Sequence, residues 1–382
     1  MKVGFITTIE VFGPNNAGSI QYSKRNLGLI KQVFGEENIY ICVITRETDR
    51  AQIPSLNTTF IHTKRDNKLC MIMYALGGRL GFGKKTENKV LEFISQHDIK
   101  VVFSDRSLTG FLPKRIPSSI KQILYMMNIE RDTYKLDLIR NMQNLLLVLP
   151  SMLNESCAVR NADVIINLNT RDAALLEMYY SRNADLILPI TFDDYYTKIY
   201  DNSDSCSQGA LRLLFVGTHH PTIEYEIAMF VDNVMPYVNA ELIVVGRSFE
   251  QSAGRLNRKN VNVIGSVDDL SEYYNSAHAI ISPISYGGGM KVKIAEAIMY
   301  GKPVFATNEA LEGYEIDKLK NIFRCNSAKE FVEAINKYAE NLPHLTFDEE
   351  IRSLFLEKYH TPKYVEVLQE LFREKGIITE EI

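Results

Sequence analysis

The 382-residue sequence has no Cys-x-x-Cys pair, no His-Glu-x-x-His motif and no apolar run long enough to cross a bilayer. Its cysteines, Cys42, Cys70, Cys157, Cys206 and Cys325, are dispersed and odd in number. That pattern offers no zinc framework and suits a reducing compartment. The histidines form no metal set either, since His219 and His220 are adjacent and would point different ways. The longest apolar runs, Leu69–Leu76 and Leu145–Leu149, fall far short of the ~20 residues a membrane helix needs. No Gly-x-Ser-x-Gly elbow occurs, and Gly301-Lys302 continues into Pro303, which excludes a P-loop. Met1–Phe5 runs straight into an apolar strand pattern with no signal-peptide cleavage region, so a cytoplasmic location is expected. The net charge of −4 argues against a general nucleic-acid binder. It conceals an asymmetry: residues 1–190 carry a net +6 and residues 191–382 a net −10, which predicts different partners for the two halves.

What is present is a regular alternation of short β-rich runs and helical patterns. The strands predicted in the first half are Val3–Thr7, Ile39–Ile44, Val101–Ser104, Ile123–Tyr125, Val164–Asn167 and Leu186–Leu188. The second half adds Leu211–Val216, Glu241–Val245, Val261–Ile264, Ala279–Ser282, Val304–Ala306 and Ile322–Arg324. Apolar strands separated by helices imply parallel sheets covered on both faces. The polar stretch Thr197–Gly209 reads as a linker. The expected architecture is therefore α/β, with two Rossmann-like doubly wound domains at residues 1–196 and 210–355. A C-terminal segment, 356–382, would contain a helix over Pro362–Lys375 and pack back on the first domain. Ligands of such sheets bind beyond the carboxyl ends of the strands, here in a cleft between the domains.

The most informative stretch runs from Ser282 through Tyr286, Gly287, Gly288, Gly289, Met290, Lys291 and Lys293 to Glu296. A strand ends, three glycines follow, and a helix begins near Met290. Glycines let backbone N–H groups approach an anion, and a helix N-terminus favours negative charge. Lys291 and Lys293 would add charge-assisted bonds to a phosphate, worth ~1.5–3 kcal/mol each. Glu296, three residues beyond Lys293, shares its helix face and suits a ribose diol, because one carboxylate accepts from two neighbouring hydroxyls. A flexible turn leading into a solvated charged helix has the same pattern.

This stretch resembles the donor-binding signature of the family 4 glycosyltransferases, the bacterial surface-polysaccharide type of the GT-B fold. Two further pieces agree in order and spacing: Leu214-Phe-Val-Gly217-Thr-His219-His-Pro221 and Ile243-Val-Val-Gly246-Arg247. Gly265-Ser-Val267, followed by Tyr273-Tyr274, is similar to the family's nucleobase loop. The resemblance covers most of residues 211–315. It implies that Glu296 holds the ribose of a nucleotide-sugar, that Lys293 and the loop amides hold its diphosphate, and that Val267 contacts the base. It places Gly18, Gly217, His219 and the run from Tyr286 to Lys291 along the same donor. Arg247 would be a second phosphate ligand, although an Arg in this position is also commonly structural. The family's fuller pattern has a second Glu where this sequence has Gly288. Relatives often read His-Asn-Ile-Glu where this sequence has Met127-Asn-Ile-Glu130.

In the first half, Gly13-Pro-Asn-Asn-Ala-Gly18-Ser19 resembles the family's glycine loop, yet lacks the Gly-x-Gly-x-x-Gly spacing of a dinucleotide site and also reads as a plain turn. Asp105 and Glu130, each just beyond a strand, are candidates for the acceptor and its chemistry, with strand-end capping as the alternative. The resemblance implies a retaining transfer of sugar from a UDP- or GDP-sugar to a glycan or lipid-linked hydroxyl, with no metal or other cofactor. No Asp-x-Asp motif is present to hold a metal. Gly288 and Met127 leave open a nucleotide-sugar-binding subunit without turnover, and an epimerase is a third reading. Thr63–Leu76, with Lys64, Arg65 and Lys68 beside apolar residues and Arg79, Lys84 and Lys85 beyond, is a candidate for anionic membrane contact. A buried helix with solvated ends fits that segment as well.

Overall fold

The computed structural model describes residues 1–9, 11–12, 18–46, 57–63, 78, 80, 83–133, 145–196, 210–287, 289–340 and 347–378. The expected linker 197–209, Gly288, most of the Gly13–Ser19 loop and nearly all of the basic-apolar segment lie outside these residues. The chain divides into two compact units: Met1–Pro189 with Thr361–Ile382, and Ile190–His360. Residues 190–196 and 356–360 thus fall in the second unit.

The first unit is built on β1 (Val3–Thr7), β2 (Ile39–Arg46), β3 (Thr58–Thr63), β4 (Val101–Ser104), β5 (Lys121–Met126), β6 (Val164–Asn167) and β7 (Leu186–Ile187). These form one sheet in the order β3-β2-β1-β4-β5-β6-β7, with parallel pairings throughout. Strands β1, β4 and β6 are buried along their whole length, as parallel strands with helices on both faces tend to be. Phe5 and Phe103, opposite each other in the β1–β4 register, stack at 5.3 Å. Strand β3 was not expected from the sequence. Its Thr-Thr-Phe-Ile-His-Thr run pairs only with β2, and of its side chains described only Ile61 is buried, so the continuous apolar signal of an inner strand is missing.

The helices of this unit include α1 (Gly18–Phe34), α2 (Lys84–Gln96), α3 (Leu145–Asn161) and α4 (Thr170–Tyr180). Asn169 caps α4 by accepting from the Asp172 amide at 2.8 Å. The C-terminal helix spans Lys363–Glu374, with Pro362 in the capping position rather than Thr361. It packs on α1, where Phe372 stacks against Phe34 at 5.5 Å, and Lys375 reaches Asp185 at 2.5 Å.

The second unit carries β8 (Leu211–Val216), β9 (Ala240–Val245), β10 (Val261–Ile264), β11 (Ala279–Ser282), β12 (Val304–Ala306) and β13 (Ile322–Arg324). The order is β10-β9-β8-β11-β12-β13, again parallel in every pair. Both sheets reverse direction of growth next to their first strand, the topology whose ligand sites lie at the carboxyl edge. Elements that shape that edge here are α5 (Pro221–Asn233), α6 (Ser271–Ser276) and α7 (Val292–Met299). No helix among the described residues is long and apolar enough to cross a membrane.

Candidate nucleotide-sugar site

At the carboxyl edge of the second sheet, β8, β9 and β10 end in glycines that meet backbone to backbone. Gly217 N–H donates to Val245 at 3.0 Å, and Gly246 N–H donates to Gly265 at 3.2 Å. Gly246 has φ +151°, and a Cβ added there would lie 1.6 Å from the Gly217 carbonyl oxygen. Only glycine fits there.

Beside this floor, β11 gives way to the glycine loop. Gly287 and Gly289 have φ of +131° and +63°, which turn the chain into α7. The loop is pinned from below: Thr307 N–H donates to Ser282 at 3.2 Å, and the Thr307 hydroxyl donates to the Ile284 carbonyl. Lys293, one residue into α7, extends its Nζ to 4.0 Å from the Phe215 ring centroid and 3.3 Å from a Cβ built on Gly217. Among the described residues this ammonium donates no hydrogen bond. Burial, with the Lys291 charge, pulls Lys293 down to about 7, while Glu296 and Glu226 pull the other way. A cation with a ring beneath it and no acceptor among the described residues can receive an anion.

Glu296 lies one turn further along the helix and is 5% exposed. It accepts from Tyr274 Oη at 2.8 Å and from the Tyr195 hydroxyl. Tyr274 stacks face to face on Tyr300 at 4.8 Å, and Tyr195 meets Tyr300 edge-on at 6.4 Å. Burial and the Glu296 charge push both hydroxyls upward, so they remain donors that orient the carboxylate.

The other expected residues divide. Lys291 is paired: its Nζ lies 3.0 Å from Glu309 and 3.1 Å from the Gly289 carbonyl, so it braces the loop as much as it faces outward. His219 joins the edge through its backbone, donating to the Arg247 carbonyl at 2.9 Å, but its ring is engaged by Glu224 at 3.1 Å and by Phe249. The Arg247 side chain is exposed. Val267, on the loop after β10, and Tyr286 are half-buried, whereas Met290 is 3% exposed and anchors the start of α7.

In the first unit, Gly18 is the first residue of α1. Asp105 is fully buried: its carboxylate accepts from Thr7 at 3.1 Å, from Asn26 at 2.7 Å and from Ser23. With three donors and no solvent access, it ties β1 and α1 to the end of β4. Glu130 is half-buried, and its carboxyl is raised by desolvation against the opposing charge of Arg106. Glu155, from α3, positions it by accepting the Glu130 amide at 2.6 Å and the Tyr180 hydroxyl at 2.5 Å. Burial lifts Glu155 to about 7. Met127 is half-buried just after β5.

Sequence reasoning missed Glu226, Tyr195, Phe215 and Glu309. No local spacing announces any of them, since each arrives at the edge from a different element. Among the described residues, no group of three His, Cys, Asp or Glu side chains is placed to hold a metal ion.

Comparison with known proteins bears on this arrangement. The family described as glycosyl transferases group 1 matches residues 210–341. Sucrose-phosphate synthase from Thermosynechococcus elongatus superposes with a TM-score of 0.72 at 14% identity, covering 98% of each chain. HepE from Anabaena, in complex with UDP and glucose, gives 0.68 at 14% identity over 98% of this chain and all of its own. The lipopolysaccharide outer core galactosyltransferase WaaB gives 0.65 at 12% identity, with 98% and 100% covered. No curated protein sequence matches the chain. Residues 210–341 thus match the group 1 glycosyltransferase family, on a chain with the two Rossmann-like units of the GT-B fold.

Proposed function

We propose that the protein transfers a sugar, with retention of configuration, from a nucleoside diphosphate donor to a hydroxyl of a glycan or lipid-linked acceptor in surface-polysaccharide synthesis. The observation that carries this reading is the Lys293 ammonium, which has no hydrogen-bond acceptor among the described residues and sits beside a glycine-lined strand edge and the start of α7. In this reading Lys293 and the loop amides take the diphosphate, Glu296 takes the ribose hydroxyls, and Val267 meets the base. Charge accumulates on the leaving diphosphate in the transition state, where fixed amides and an ammonium stabilise it most. The departing phosphate oxygen accepts the acceptor's proton. UDP-sugars are the favoured donors, because structures of similar fold hold UDP and UDP-glucose.

The test is a melting-temperature screen over nucleotide sugars, followed by donor hydrolysis and transfer assays. A ligand at 100 times its dissociation constant stabilises by roughly 2.7 kcal/mol. A UDP- or GDP-sugar is expected to raise the midpoint and to be consumed. Tight binding without turnover would favour a binding subunit, and interconversion of donor sugars would favour an epimerase. Excess chelator should leave the rate unchanged, since Lys293 and backbone amides assume the neutralising role of a metal; loss of rate restored by magnesium would overturn that.

Contact with an anionic membrane is part of the same proposal. Its support is the basic first half of the chain, together with Leu149 and Leu153, exposed one turn apart on α3. Vesicle flotation is expected to require anionic lipid, to weaken with salt, and to drop when Lys64, Arg65, Lys68 and Arg79 become Gln.

A further inference from the structure

Glu226, in the middle of α5, is 9% exposed, which is unusual for a carboxylate. One oxygen is occupied: Oε1 accepts from the Ser285 amide at 3.1 Å and from the Ser285 hydroxyl. The other, Oε2, is buried and has no hydrogen-bond partner among the described residues. A buried acceptor left unpaired costs free energy unless something else compensates it. A nearby positive charge is that of Lys293, which is held more strongly protonated by Glu226. Two elements distant in sequence therefore converge on the glycine loop, α5 from one side and α7 from the other.

We propose that Glu226 is a positioning residue of the anion site, pinning the glycine loop through its hydrogen bonds to Ser285 and adding its negative charge to the field at Lys293. The inference rests on the reading of Lys293 as the diphosphate ligand. Lys293 faces a small set of charges: Lys291 and Glu296 from its own segment, and Glu226 from α5, with the uncharged Phe215 ring from β8 beneath it. Lys291 is already balanced by Glu309. Among the described residues Glu226 is thus the charge brought to Lys293 from a different element. It favours the ammonium over the free amine and keeps it charged at neutral pH. The same negative charge repels the incoming diphosphate. Its net effect therefore depends on pH, and that dependence separates an electrostatic role from a purely structural one.

The experiment is calorimetric titration with UDP from pH 5.5 to 8.5, comparing the parent with Glu226→Gln, Glu226→Ala and Ser285→Ala. The ratio of affinities between two proteins at each pH cancels the ionisation of UDP itself. Glutamine keeps an acceptor for Ser285 and removes only the charge. Glu226→Gln is expected to bind UDP as well as the parent, or better, at pH 5.5, and about three- to tenfold more weakly at pH 8, so the two profiles cross. Ser285→Ala is expected to lower the melting temperature and leave the alkaline midpoint of the profile where it is. Glu226→Ala is expected to combine the two effects. A Glu226→Gln profile that superposes on the parent's, or lies below it by one factor at every pH, overturns the proposal and leaves the donor site intact. A parent that shows no alkaline fall in UDP affinity, or no UDP binding, overturns the Lys293 reading and this inference with it.

Discussion

Replacing Lys293 with Ala is expected to weaken UDP binding by roughly 10- to 100-fold at pH 6.5, the equivalent of one charge-assisted phosphate contact. Its pH dependence is the sharper test. The folded protein holds Lys293 at about 7, far below a lysine's usual value. Only the ammonium attracts phosphate, so affinity is fully present below that value and falls as pH rises through it, by about tenfold per unit. The terminal phosphate of UDP ionises near pH 6, which makes binding improve up to that point. The parent should therefore give a bell-shaped profile. In Lys293→Ala the acid limb should remain, because it belongs to the ligand, and the alkaline limb should vanish. Calorimetry across the range checks this, and an alkaline limb that survives the substitution would move the anion site elsewhere. Turnover should fall further than affinity, since the leaving diphosphate gains charge as the sugar departs.

Gly246→Ala is expected to have the largest effect on stability of any single methyl added to the strand edge. The new Cβ would occupy the same space as the Gly217 carbonyl oxygen, 1.6 Å away, at a φ that L-residues rarely adopt. Either β9 or β8 must shift at its carboxyl end, which costs on the order of 3 kcal/mol or more. Chemical denaturation should show a lower midpoint, and UDP binding should suffer because Phe215 and Lys293 are seated against the same strand end. Gly254→Ala serves as the control, since nothing lies within 4 Å of its added methyl. Equal stability of the two variants would mean that the glycine contact is looser than its geometry implies.

The two substitutions also show what the sequence made legible. Inner strands such as Val3–Thr7, Val101–Ser104 and Ala279–Ser282 were readable to the residue, because burial on both faces demands a nearly unbroken apolar run. The glycine loop, Lys293 and Glu296 were readable because all of them lie within ten residues of one strand-to-helix junction. Strand β3 escaped because an edge strand needs to be apolar on only part of its length. The pairing of Lys291 with Glu309, the hydroxyl of Tyr195 on Glu296 and the approach of Glu226 escaped for a different reason. Each joins residues from separate elements, and the distance between them in sequence carries no period. Asp105 illustrates the limit of reading a polar residue at a strand end. The sequence alone does not reveal that Thr7, Ser23 and Asn26 surround it with donors.

The first unit is assembled from the two ends of the chain, with Phe372 of the returning helix set on Phe34 of α1. During synthesis this has a consequence of order. Residues 1–189 emerge first, yet the aromatic face of α1 stays uncovered while the entire second unit is translated, ~10–40 s at ordinary ribosomal rates. The second unit is continuous in sequence and holds all its own strands, so it can close before the earlier one does. The half of the protein made first is therefore the half completed last, and its exposed phenylalanine is the point at which chaperone binding or aggregation would begin.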